Sequence, residues 1–527
     1  MIMRFIKKYP VIVMALLLGV VIGIKFQIYL NEHFPDKNKR KLDQIYELTT
    51  KYYFEDIDST EILESAINGM FSKLDPHTTY LPVEDEKISE EAFRGEFEGI
   101  GVEFQIIKDT ITVVSPISGG PSEKAGIQSG DKIIRIENKS AIGISNKEVV
   151  EQLRGEKGTK ANFTVFRAIN RKEYDFTIIR DKIPINSVDV SLMYGEDIAY
   201  INLSRFAETS TLEISKALAK LRADGMNKIV LDLRNNPGGL LSEAVSISDL
   251  FLDDSKLIVY TQGRISDFDK EYFADELDGY EKYPLIILIN RGSASASEIV
   301  SGAIQDWDRG LIVGETSFGK GLVQRPFLLL DGSAVRITVS KYYTPSGRAI
   351  QRDYSNGKDE YYVTIHNNLD SNKTDSTKLE YRTKGNRIVY GGGGITPDYI
   401  VKYDDLTNYS IELTRNNIYY QFARKYIDEN KNRIIDKYKT LESFSNNFSI
   451  KGKQSEFIKF ANQNNVEFDE NEFNKDKVYI MQRLKAFIAR DIWGNTGWYL
   501  TMLKVDDQFQ KAITLFNKEL TSNKVKI

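Results

Sequence analysis

Cysteine is absent from the 527 residues. Disulfides, thiolate nucleophiles and Cys-based metal sites are thereby excluded, and the compartment must be read from other features. Histidine occurs only three times, at His33, His77 and His366, which leaves few candidates for histidine-based catalysis. Charge of one sign is also lacking. Lys and Arg number 71 against 75 Asp and Glu, a formal net charge of -4, so there is no basic field for nucleic acid and no strongly acidic tail. No nucleic acid partner is expected. What the chain does have is 41% hydrophobic residues, enough for packed cores, over a length that suits three or four domains of roughly 100 to 200 residues.

The N-terminus carries Arg4, Lys7 and Lys8, then an uncharged stretch over residues 9–24, then Lys25 and a short apolar run to Leu30. Residues 11–24 have the length of a cleavable export signal, yet no small-residue cleavage site follows. Read as one helix, residues 9–30 cover about 33 Å against a hydrocarbon core of roughly 30 Å, with Lys25 snorkelling toward the outer interface. The sequence therefore predicts an uncleaved single-pass anchor in the cytoplasmic membrane over residues 1–30. The preceding basic residues put the remainder on the extracytoplasmic, periplasmic side.

Beyond the anchor the text changes character four times. Residues 38–92 have helical spacing, with Ile45, Leu48, Ile62, Ile67 and Met70 on apolar faces. Residues 93–182 read as short strands and turns with two helical pieces. Residues 183–404 alternate apolar runs with helix-like stretches, the mark of an α/β core. Residues 405–527 carry long helical patterns with aromatic clusters and no assigned chemistry. Two polar insertions, residues 264–283 and 353–386, read as solvated surface loops.

Chemistry concentrates in the α/β segment. An apolar strand over residues 285–289 runs through Asn290-Arg-Gly-Ser-Ala-Ser-Ala-Ser-Glu298 into an amphipathic helix, placing Ser295 at a strand-to-helix turn. Free backbone N–H groups and the positive end of the helix dipole there can hold a hydroxyl nucleophile and an oxyanion. The same residues also match a capping box, with Ser295 as cap and Glu298 reaching back. A serine nucleophile needs a base. His77, in Leu74-Asp-Pro-His-Thr-Thr-Tyr-Leu81, is the one plausible histidine, though its turn reads equally as a structural corner. Lys320 stands between glycines in Ser317-Phe-Gly-Lys-Gly-Leu-Val-Gln324. An amine of ordinary pKa about 10.4 must be desolvated to about 7 or 8 to serve as a base. Gly314 to Lys320 also imitates a phosphate-binding loop, but Gly321 replaces the Mg²⁺-binding hydroxyl and Pro326 blocks the following helix.

Five motifs in order along the chain, Asp232-Leu-Arg-Asn-Asn-Pro-Gly-Gly239, the serine run, the Lys320 segment, Tyr342-Tyr-Thr-Pro-Ser-Gly-Arg348 and Gly392-Gly-Gly-Ile-Thr-Pro-Asp398, closely resemble the C-terminal processing, or tail-specific, peptidases. The resemblance covers roughly residues 42–403. It implies a multidomain α/β (α+β) fold, a crotonase/ClpP-like core with an inserted PDZ domain. It implies Ser295 as nucleophile, Lys320 as general base and Gln324 as its orienting partner. The oxyanion hole would be the N–H of Ala296 and of Gly238 or Gly239, the choice between the two staying open. Asp306 matches an acidic family position and equally suits a solvated helix end. Residues 93–182 resemble a PDZ domain, with Gly99, Ile100, Gly101 and Val102 as carboxylate loop and the strand from Val102 pairing with apolar C-terminal tails of protein or peptide substrates. Arg154 matches a position where relatives couple PDZ docking to the active site. No metal or cofactor is implied. An adaptor protein and a homo-oligomer stay open, and the rival reading is a catalytically silent PDZ scaffold.

Overall fold

The computed structural model describes residues 37–168, 170–275, 278–367, 379–403 and 405–519, with 14, 18, 19, 22, 23 and 25. The anchor predicted over residues 9–30 lies almost wholly outside the described residues, and so does His33. Among those described, no helix is long and apolar enough to cross a membrane. The chain divides after Asp75 into two units.

The first unit contains the helices Lys37–Tyr52 and Ser59–Phe71, in the first part of the stretch read as helical. Asp58 starts the second by accepting from the Thr60 N–H at 2.8 Å and the Glu61 N–H at 3.3 Å, the usual N-cap arrangement.

In the second unit the apolar runs become a six-stranded sheet. Its order is Val188–Tyr194, Ile198–Leu203, Lys228–Asp232, Leu285–Ile289, Leu311–Gly314 and Tyr399–Ile400. The first pair is antiparallel and the rest parallel. Every residue of Ile198–Leu203 and Leu285–Ile289 is buried, which is why these strands read as unbroken apolar runs rather than alternating ones. One face packs on the helices Ser210–Ala223, Leu241–Asp249 and Ala296–Asp306. The other is covered by Leu503, Phe509, Ala512, Leu515 and Phe516, so the end of the helical C-terminal region belongs to the core sheet rather than standing apart from it.

A second, antiparallel sheet holds the strand Ala334–Tyr343 between Leu322–Leu328 on one side and Thr79–Leu81 and Leu257–Gly263 on the other. Lys270–Phe273 pairs on the outer edge of Leu257–Gly263. This corrects the reading of residues 264–283 as a solvated loop. Ala274 and Tyr280 are buried in the hydrophobic core, and the Arg309 guanidinium holds the Tyr280 and Tyr283 carbonyls at 2.9 and 2.8 Å.

The module between these elements is an antiparallel sheet in the order Val102–Ile107, Thr110–Pro116, Lys132–Ile136, Lys160–Arg167 and Lys172–Ile179, with the helix Asn146–Leu153. Its two ends, Glu96–Gly99 and Asp181–Pro184, pair as antiparallel strands, so it leaves and rejoins the chain at one point. The C-terminal helices, among them Ile418–Lys437 and Glu470–Met502, enclose an aromatic core of Tyr419, Phe422, Phe444, Phe457 and Phe473. They also grip this module. Arg490 reaches both carboxylate oxygens of Glu103 at 2.9 Å, while Asp491 takes Arg424 at 2.6 Å and the Ser129 hydroxyl at 3.2 Å.

Candidate active site

The serine run follows the end of a buried parallel strand, so its backbone is fixed before any side chain acts. Asn290 holds the Asn235 N–H at 2.8 Å, and the Ser293 hydroxyl donates to the Leu233 carbonyl at 2.8 Å. One side chain, fully buried Asn236, then ties two loops together. Its Nδ2 donates to the Leu203 carbonyl and its Oδ1 accepts from the Gly238 N–H, at 2.8 and 2.9 Å. The Asn236 carbonyl accepts from the Ala294 N–H at 3.0 Å and from the Ser297 hydroxyl at 2.9 Å.

Against that frame Ser295 takes φ 54° and ψ −111° at the start of the helix Ala296–Asp306, a conformation costly for any residue but glycine. Gly238 explains how closely the loops approach. With φ +98°, it would, if given a Cβ, place that atom 2.8 Å from Ser295 Cβ and 2.9 Å from the Ala296 nitrogen. Gly239 is pressed as tightly on Phe206, where a Cβ would stand 2.1 Å from the carbonyl oxygen.

Glu298 stands to Ser295 as in a capping box, but its carboxylate does more than close a helix. Its Oε2 accepts from the Ser295 N–H at 2.8 Å and the Lys320 N–H at 2.9 Å, and its Oε1 from the Gly319 N–H at 2.8 Å and the Ser317 hydroxyl. Burial pushes this carboxyl above the ordinary carboxylate range, against the pull of those four hydrogen bonds. The buried Tyr342 hydroxyl lies 3.0 Å from the Ser295 carbonyl and 2.7 Å from the Lys320 carbonyl. Two side chains therefore hold the backbones of Ser295 and Lys320 side by side. The Lys320 amine donates to Gln324 Oε1 at 3.0 Å, and Gln324 Nε2 donates to the main-chain carbonyl of His77. His77 thus meets this group through its backbone, while its ring lies 3.0 Å from the Tyr361 hydroxyl.

Each remaining motif buttresses the same loops. Ile395 donates to the Ser317 hydroxyl at 2.6 Å, and Arg352 holds the Phe318 carbonyl at 3.1 Å. Asp306 is not a solvated helix end. It is buried and paired with fully buried Arg348 at 2.7 Å, and it takes the Ser346 N–H at 3.0 Å. The residues 353–386 are likewise not wholly solvated, since the helix Lys358–Asn367 buries Tyr361 against His77 and Phe318. Among the described residues no cluster of acidic and histidine side chains forms a metal site.

Gly99, Ile100, Gly101 and Val102 lie in the other module, at the start of the strand Val102–Ile107. Among the described residues only Thr110–Pro116 pairs with that strand, which leaves its outer edge without a strand partner there. Arg154 reaches Glu91 at 2.6 Å and covers the Phe97 ring at 4.5 Å; these partners belong to neither Ser295 nor Lys320. Asn236 and Tyr342 are positioning residues that the sequence did not single out, and Glu298 was read only as part of a helix cap, though all three stand inside the quoted motifs.

The sequence profile of peptidase family S41 matches residues 197–357, and that of the PDZ domain residues 99–179. The chain is 40% identical over 325 residues to the carboxy-terminal-processing protease of Bartonella bacilliformis, covering 61% of this chain and 74% of that protein. The chain belongs to the carboxy-terminal-processing serine peptidases of family S41. It is also 37% identical over 341 residues to a probable CtpA-like serine protease of Staphylococcus aureus, covering 63% of this chain and 68% of that one. Two further profiles match this peptidase, the N-terminal domain of the activating protease CtpB at residues 27–85 and a family of unknown function, DUF8443, at residues 409–494. A solved photosystem II D1 C-terminal processing protease is 24% identical, covering 72% of this chain and 92% of that chain, with a TM-score of 0.36.

Proposed function

We propose that this S41 peptidase is an endopeptidase of the Ser-Lys type, on a crotonase-like core, that captures apolar C-terminal tails of extracytoplasmic proteins in its PDZ groove and cuts near them. The observation that carries the reading is the joint suspension of Ser295 and Lys320 from Glu298 and Tyr342, with Gln324 on the lysine amine. In the first step the neutral Lys320 amine takes the proton of the Ser295 hydroxyl as its oxygen attacks the scissile carbonyl carbon. The resulting oxyanion is received by the Ala296 N–H, an unpaired donor at a helix start, and by a glycine of the Asn-Pro-Gly-Gly turn. Gly239 suits that role better than Gly238, whose N–H already serves Asn236. As the carbon–nitrogen bond breaks, the Lys320 ammonium returns its proton to the departing amine. A water then gives a proton to Lys320 and attacks the ester, releasing the acid and restoring the Ser295 hydroxyl. Gln324 keeps the amine aimed throughout, the part of the third member of a triad.

The open edge of Val102–Ile107 supports tail capture by strand addition, with the terminal carboxylate on the N–H groups of residues 99–102. The basic residues before the apolar stretch support a membrane-anchored, periplasm-facing enzyme, which protease accessibility in spheroplasts checks; protection of residues 31–527 there contradicts it. The chemistry is tested by acid quench during turnover and mass mapping. A Ser295 peptide heavier by the N-terminal cleavage fragment is expected, and steady turnover by a Ser295→Ala chain refutes the assignment.

A further inference from the structure

The helix Lys358–Asn367 lies in a charge-rich insertion, yet Tyr361 on it is only 1% exposed. Its ring meets His77 edge-on at 5.5 Å, Phe318 at 6.0 Å, and Tyr354 and Tyr362 beside them. Burial pushes its hydroxyl well above the ordinary phenol range, so it remains a neutral hydrogen-bonding group at any working pH. Two routes lead from that hydroxyl, one to the Lys320 amine and one to the neighbouring Gly321 N–H. In one, the hydroxyl bonds His77 Nε2 at 3.0 Å, the His77 carbonyl accepts from Gln324, and Gln324 accepts from the Lys320 amine at 3.0 Å. In the other, the Gln351 side chain lies beside the hydroxyl, and its Oε1 accepts from the Gly321 N–H at 2.8 Å. Tyr362 adds a bond to the Pro76 carbonyl at 3.3 Å, fastening the helix to the same segment that bears His77.

We propose that Tyr361 is a positioning residue for the general base, and that the insertion carrying it is part of the active site, a roof that fixes Gln324 through His77 and the Lys320 loop through Gln351. The proposal rests on the Ser-Lys-Gln reading above. The physical demand is precision rather than affinity. A lysine on a flexible four-carbon stem can point its lone pair at Ser295 only if its partner is itself immobile, and a glutamine between two loops is immobile only if both loops are. A structural role alone would leave the chemistry of the folded enzyme untouched. A positioning role lowers kcat and leaves KM alone, because the groups that hold the substrate are elsewhere.

Tyr361→Phe keeps every ring contact and deletes only the hydroxyl. On an unstructured protein substrate with an apolar free-acid tail, kcat should fall about tenfold or more, since misplacement of a reacting group by about 1 Å can cost about 100-fold. KM and the affinity for the isolated tail peptide should not change. Combined with Gln324→Ala, the same substitution should cause no further loss, because both act on one amine. A Tyr361→Phe enzyme within twofold of wild-type kcat, or losses that multiply in the double variant, would overturn the proposal. Failure of the underlying Ser-Lys reading would register separately, as turnover by Ser295→Ala in the same assay.

Discussion

Gly238→Ala isolates the packing that brings the two halves of the site together. The new methyl would meet the Ala294 carbonyl oxygen at 2.7 Å, Ser295 Cβ at 2.8 Å and the Ala296 nitrogen at 2.9 Å, at a backbone φ of +98°. None of those atoms lies at the end of a flexible side chain, so the serine loop must retreat by about half an ångström to reach ordinary contact. Left-handed backbone costs a residue with a Cβ about 1–2 kcal/mol, and overpacking a rigid contact about 1–3 kcal/mol; together they cost about 2–5 kcal/mol. Displacing both nucleophile and oxyanion donor by that amount should lower kcat on the order of 10- to 100-fold. Gly126→Ala provides the control. Its φ is +84° with nothing within 4 Å of the new methyl, so it carries the strain without the collision and should leave kcat unchanged. Turnover of a tail-bearing unstructured substrate, with thermal melting of each variant, is the assay. A folded Gly238→Ala chain that cuts at the wild-type rate would refute the idea that this contact sets the geometry.

Asp306→Asn leaves the buried Arg348 guanidinium without its counter-charge, a loss of about 3–5 kcal/mol. Denaturant unfolding should register it while the folded fraction still turns over; unchanged stability would mean that the pair is not holding the fold. Lys485 has its pKa lowered to about 8, first by burial and then by Lys504. Between about 8 and the ordinary 10.5 the unfolded chain holds the proton that the folded chain has lost, so stability should rise with pH across that window. Melting temperatures at the two ends check this, and Lys485→Met should flatten the rise; an equal slope in the variant would contradict it. Peptides with apolar tails should bind the PDZ module as free acids and not as amides in calorimetry, because backbone N–H groups recognise a carboxylate. Equal affinity would exclude that mode.

The core strands were legible because burial on both faces writes an unbroken apolar run, as in Leu285–Ile289. The serine and lysine loops were legible because glycine and serine are demanded where backbones nearly touch, as Gly238 does Ser295. Partnerships across long sequence separations were not. Asp306 reads as a polar helix end until Arg348, 42 residues on, is folded onto it. The helix Asp507–Glu519 reads as one more surface helix, since nothing local reveals that it seals the outer face of a sheet begun at Val188. Tyr361 is one of two adjacent tyrosines on a short, charge-rich helix, and its neighbours come from the distant segments around His77 and Phe318. The capping box at Ser295 was a correct pattern with an incomplete meaning, because the Glu298 carboxylate also holds the lysine loop.

The joint action of Ser295 and Lys320 as one chemical unit is tested by the cleavage rate of an unstructured tail-bearing substrate by Ser295→Ala, Lys320→Ala and the double variant, each with tail-peptide affinity measured beside it. Either substitution alone should abolish cleavage, the double variant should be no worse than either, and all three should bind the tail as the wild type does, since groups acting as a unit are not additive. His77→Ala, which keeps the backbone carbonyl serving Gln324 but loses the ring that the Tyr361 hydroxyl bonds, should still cleave, with kcat lowered as by Tyr361→Phe rather than abolished. Cleavage at the wild-type rate by Ser295→Ala, or complete loss at His77→Ala with Lys320→Ala still active, would contradict that joint action.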